Sequence, residues 1–163
     1  MLRALRELLR PAPEQGASVD TEHRVRLAAA VLLLEIAWAD FDLQQAELAA
    51  VGRALGRSFG LDARQVDLLL EAAQAAHEED TSLYPHLQEI NRAFSLDEKE
   101  RLIEQMWRVA LSDSVLDKYE EGQIRRIADL LYLPHSRFIR AKLRAQARER
   151  PTEEGRSEGD QGL

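Results

Sequence analysis

Ala37-Trp38-Ala39-Asp40-Phe41-Asp42-Leu43-Gln44-Gln45-Ala46-Glu47 recurs without a gap, 73 residues further on, as Ala110-Leu111-Ser112-Asp113-Ser114-Val115-Leu116-Asp117-Lys118-Tyr119-Glu120. Few positions are identical. What repeats is an Asp, a Leu and a Glu at one spacing, set between two apolar helical stretches. Val51 matches Ile124 at the same offset, and after a one-residue shift Leu61 matches Leu133 and Val66 matches Phe138. Recurrence at a fixed period is the mark of one supersecondary unit used twice. The pattern predicts an all-α single-domain bundle of about seven to eight helices with an internal pseudo-twofold repeat, its two junction-leading helices packed centrally.

Working outward, the punctuation is helical throughout. Leu2, Leu5, Leu8 and Leu9 form a short apolar stripe that Pro11 and Pro13 end. Ser18 or Asp20 can cap a long helix running to about Ala39, apolar from Leu27 onward except at Glu35. That run is too short to span a bilayer and reads as a helix buried nearly all round. Leu48, Val51 and Leu55 continue at helical spacing to Gly60, a C-terminal stop; Asp62 caps the next helix, with Val66, Leu69, Leu70 and Ala73 inward. Pro85 opens a helix carrying Leu87, Ile90 and Phe94. Ser95-Leu96-Asp97-Glu98 is a capping box leading into Leu102, Ile103, Met106, Val109 and Ala110. Asp117 to Glu120 caps a helix with Ile124, Ile127, Ala128 and Leu131, and Pro134 starts the last one, through Phe138, Ile139 and Leu143. The expected organisation is a short amphipathic helix and Pro-containing linker over 1–19, a helical domain over 20–150, and a disordered acidic tail over 151–163.

Composition narrows the chemistry. The chain has no Cys, so thiolate catalysis, disulfides and zinc–thiolate sites are excluded. No phosphate-binding glycine loop and no nucleophile–base set stands out, so no catalytic or cofactor-binding residue is assigned and an enzyme is not expected. Net charge is −7, unevenly spread: residues 35–98 hold thirteen acids and four bases, residues 125–150 eight bases and two acids. The basic stretch lacks interleaved aromatics, which argues against nucleic acid and for a solvated face that complements acids of its own domain. The N-terminus has no secretory apolar segment, and cytoplasmic location is the default expectation.

The acidic junctions invite two readings. Each sets an Asp at the end of one helix and a Glu in the first turn of the next. The Glu is well placed against the helix dipole and the Asp is not, a cost of up to about 1 kcal/mol. Either Asp40 and Asp113 cap the following helix, or the carboxylates form an all-oxygen site for Ca or Mg. The candidate ligands are Asp40, Asp42 and Glu47 in the first junction, and Asp113, Asp117, Glu120 and Glu121 in the second. Neither is an EF-hand loop: counted from Asp40, position six is Gln45 in place of Gly and position twelve is Val51 in place of Glu. His23, His77, His86 and His135 are scattered and read as exposed or capping side chains, and Trp38 and Trp107 as core or rim packing. Glu35 aligns with Arg108. An ion pair between them, or a place for Glu35 in the first acidic site, is the expectation.

Leu33-Leu34-Glu35-Ile36-Ala37-Trp38-Ala39-Asp40, its echo from Leu116 to Glu121 and from Ile124 to Leu131, and Tyr132-Leu133-Pro134-His135-Ser136-Arg137-Phe138-Ile139-Arg140-Ala141-Lys142-Leu143 resemble the TerB family, in its stand-alone bacterial branch of tellurite-resistance-like proteins. The resemblance spans roughly residues 20–146. It implies a helical bundle related to the N-terminal domain of a membrane-anchored DnaJ-type co-chaperone, with acidic Asp-Gly turns associated with cations. It also implies a non-enzymatic interaction module, divalent-cation-responsive, in a bacterial tellurite or envelope stress-response pathway. Such a module would work through a protein partner among membrane-associated stress proteins, at the inner face of the membrane. The alternative is a purely structural or regulatory helical protein-binding domain with no metal ligand. Phe41 and Ser114 stand where the family turn usually has Gly, which removes the freedom for positive φ at both turns.

Overall fold

The computed structural model describes residues 15–38, 45–79, 82–112 and 118–149. Over these it is all-helical, with no strand. Seven helices follow in order: α1 Gln15–Ala37, α2 Gln45–Phe59, α3 Ala63–Glu79, α4 Tyr84–Ala93, α5 Leu96–Ala110, α6 Lys118–Leu130 and α7 His135–Glu149. The stripe of the first residues and the acidic tail lie outside the described residues. α1 begins at Gln15, ahead of both expected caps, Ser18 and Asp20.

Two helices hold the centre. From Ala28 to Ala37 every residue of α1 except Glu35 is buried, and it packs on α2, α3, α4, α5 and α6. A helix apolar on all sides has nowhere else to go. α5 is enclosed from Leu102 to Ala110 and packs on α1, α2, α6 and α7. The expected inward residues Leu102, Ile103, Met106, Val109 and Ala110 are all buried, and Trp107 joins them at 0% exposure. Its ring lies 5.7 Å from that of Phe138, with the Lys142 ammonium 5.0 Å from its face.

Caps and stops sit where the chemistry demanded. Ser95 Oγ accepts from the Glu98 N–H at 3.2 Å, while the Ser95 N–H donates to Glu98 Oε1 at 3.0 Å. Asp62 and Gln65 make the same reciprocal pair at the start of α3, at 2.8 and 3.0 Å. α2 and α6 end alike. The Leu61 N–H bonds Gly56 C=O at 3.1 Å, and the Leu133 N–H bonds Ala128 C=O at 3.0 Å, each closing a Schellman turn. The turn needs a left-handed residue. α2 uses Gly60 (φ 63°), but α6 uses Tyr132 (φ 56°), which is 77% exposed. A side chain in that conformation costs about 1–2 kcal/mol, and glycine's greater unfolded freedom returns part of it. Tyr132→Gly is therefore expected to raise unfolding free energy by about 0.5–1 kcal/mol, read in urea melts against wild type.

Of the apolar residues that mark α7 in the sequence, Phe138 is buried, whereas Ile139 and Leu143 are 37% and 58% exposed. The buried face is Phe138, Ala141 and Ala145, and the two alanines let α7 lie close on α5. The basic residues of α7 answer acids of α5 and α6. Arg137 donates to Asp97 at 2.6 Å, Arg140 and Arg144 converge on Glu100 at 2.9 and 3.3 Å, and Lys142 reaches Glu121 at 3.1 Å. The hydrogen bond and charge of Arg137 hold the Asp97 carboxyl below its usual pKa. The expected self-complementing face is thus present.

Candidate functional site

Both acidic junctions deliver a glutamate to the interior. Glu47, in the first turn of α2, is 0% exposed, and Glu120, in the first turn of α6, is 1% exposed. The N-terminal turn of a helix presents N–H groups and the positive end of its dipole, which favours a carboxylate there. A carboxylate removed from water still requires positive charge or hydrogen-bond donors close by. Asp40, Asp42, Asp113 and Asp117 lie outside the described residues. Glu121 is half-buried, its Oε1 accepting from Lys142 Nζ at 3.1 Å. Among the described residues no group of three or more His, Asp or Glu gathers as a metal cluster.

Beside the first junction a second polar cluster closes over the end of α1. Glu35 Oε2 lies 2.6 Å from His77 Nε2, and Glu35 Oε1 accepts from Gln123 Nε2 at 3.1 Å. The Trp38 ring meets the His77 imidazole edge-on, centroids 4.2 Å apart. One carboxylate therefore links α1 to α3 and to α6. The expected Glu35–Arg108 pair does not form. Arg108 instead bonds Glu104 one turn back on its own helix, at 3.4 Å. The alignment placed the two residues at matching positions in their units, but matching positions in two copies need not face each other.

The model of the family described as tellurite resistance protein TerB matches residues 26–143, most of the chain. The chain belongs to the TerB family. A crystal structure of a protein of unknown function from Porphyromonas gingivalis shares the fold, with a TM-score of 0.60 at 22% identity, over 77% of this chain and 95% of that one. No curated protein matches the chain.

Within this TerB chain, two histidines depart from the expectation of exposed or capping side chains: His86 is buried, and His77 is half-buried against Glu35 and Trp38. The missed signal lay in topology. The C-terminal ends of α1 and α3 meet, so a lone acid near one end faces a lone histidine near the other. His23 and His135 are exposed as expected. Trp38 is a rim residue and Trp107 a core one.

Proposed function

We propose that this TerB protein is a non-enzymatic helical interaction module whose two acidic junctions take up a hard divalent cation, calcium or magnesium, and that it serves a bacterial tellurite or envelope stress-response pathway through a protein partner. The observation that carries the reading is the pair of glutamates, Glu47 and Glu120, sunk at the first turns of α2 and α6. Each follows an acidic stretch that offers further oxygens, Asp40 and Asp42 before one, Asp113 and Asp117 before the other. Oxygen ligands of this kind suit calcium and magnesium, and the two units would form a pseudo-symmetric pair of sites. No helix among the described residues is long and apolar enough to cross a membrane, so a membrane role would run through the partner. The exposed side chains of Tyr84, Leu130 and Tyr132, lining one groove, supply a surface for one. Cytoplasmic residence, at the inner membrane face, is part of the same proposal.

The second reading is a structural or regulatory helical domain without a ligand, favoured by the Glu121 carboxylate being committed to Lys142. Calcium and magnesium titrations by calorimetry and backbone NMR separate the two. Shifts confined to the junctions are expected, with Asp113→Asn lowering affinity more than Asp40→Asn, because the second junction has more carboxylates and the smaller Ser114. No heat and no shift at millimolar cation would leave the junctions as helix caps.

A further inference from the structure

The basic residues of α7 up to Arg144 are used in ion pairs, but Arg148 turns elsewhere. It lines a cleft of about 500 Å³ with Arg53 and Arg57 of α2 and Arg108 of α5, beside Ala50 and Ser112. Among the described residues no ion pair forms at Arg53, Arg57 or Arg148. Arg108 is 8% exposed, its buried Nε has no hydrogen-bond partner, and its one bond, to Glu104, is long at 3.4 Å. The cluster strains against itself. Burial, then repulsion from Arg108, Arg53 and Arg148, lowers the Arg57 pKa, with only Glu104 opposing. Arg57, Arg108 and Arg148 each occupy the last turn of a helix, where the dipole favours a cation. That accounts for about half a charge per helix end, and each guanidinium brings a whole one. A surplus of positive charge therefore remains, one member of it nearly dry and incompletely bonded.

We propose that this arginine cleft binds a phosphate group, carried by a small phosphorylated metabolite. Guanidinium forks match phosphate oxygens in pairs, and a dianion can bridge cations that otherwise repel. The body of the ligand has a place. A neighbouring cavity of about 370 Å³ shares Arg57, Arg108 and Arg148 and is lined by Phe59, Phe94 and Leu102 together with Arg101 and the carboxylates of Glu98 and Glu104. The two cavities together have the size of a small-molecule site. None of its residues belongs to the Glu35–His77 cluster or to the carboxylates proposed for a cation.

The test is an NMR titration of the full chain, without divalent cations and at constant ionic strength, following arginine Nε–Hε and backbone resonances. The probes are inorganic phosphate and adenosine monophosphate, with chloride as the control. Saturable shifts at the arginines of α2, α5 and α7 are expected with both phosphate probes and not with chloride. Tighter binding of the nucleotide assigns the second cavity to the ligand body, and equal binding assigns the site to phosphate itself while removing the metabolite's body from the proposal. Arg148→Glu and Arg53→Gln, both at exposed positions, are expected to weaken phosphate at least tenfold with unchanged melting behaviour. Shifts that follow chloride equally, or phosphate affinity unchanged in Arg148→Glu, would overturn the site and leave the arginines as partners of their helix ends.

Discussion

Truncating Leu34 or Ile127 to alanine is expected to lower the free energy of unfolding by about 2–5 kcal/mol each, the range for removing a large aliphatic side chain from a packed core. Both are 0% exposed, one at the heart of α1 and the other on the inward face of α6. The cost combines lost apolar burial with the cavity left behind. α1 is hemmed in by five other helices and cannot close such a cavity by moving alone. Leu34→Ala therefore falls in the upper part of the range and Ile127→Ala below it. Urea melts with an unchanged slope are the measurement, and a loss below about 1 kcal/mol at either site would move the core elsewhere.

The second large effect is electrostatic. Glu100 is 6% exposed, with Arg140 and Arg144 bonded to its two oxygens and Arg137 within 3.8 Å. Breaking a buried pair by removing one partner costs about 3–5 kcal/mol where both charges are buried. Here the Arg140 and Arg144 side chains are 51% and 54% exposed, so water recovers part of the loss. Glu100→Gln is expected to cost about 1–3 kcal/mol, because it leaves three guanidiniums converging on a neutral amide. Asp97→Asn, where the side chain is 71% exposed, serves as the contrast and is expected to cost clearly less than Glu100→Gln, the loss shrinking further with added salt. Denaturant melts at low and high salt check both. Equal losses at the two positions would show that Glu100 is better hydrated than its surroundings indicate.

These two predictions mark what was legible in the sequence. Apolar spacing, the Ser95–Glu98 box, Asp62 and Gly60 announced their helices because each acts within a turn or two of chain. The central place of α1 followed from its unbroken apolar run. The long-range polar choices were not legible: that Glu35 takes His77 and Gln123, and that Glu100 gathers the bases of α7. Each depends on how helices rotate about their axes, which a one-dimensional pattern constrains poorly when several faces are apolar. Ile139 and Leu143 show the same limit, since helical spacing alone admitted either face of α7. At the candidate cation site the sequence pointed to Glu47 and Glu120, and the structure adds their burial, while the Asp residues of the same turns lie outside the described residues.

The mutual enclosure of α1 and α5 has a consequence for how the molecule opens. These helices belong to opposite halves of the chain and pack on each other, α1 reaching also to α6 and α5 also to α2. Neither half can shed its partner without baring apolar surface of α1 and α5, so the two halves of the chain are not separable foldons. Amide protons between Ala28 and Ala37 and between Leu102 and Ala110 then exchange with solvent only through global unfolding. Those of α3 and α7, at the periphery, exchange through smaller openings. A fragment ending in the linker before α5 would expose the apolar flank of α1 and associate with itself or with the missing half, so complementation between two separately expressed halves becomes a natural property of the fold.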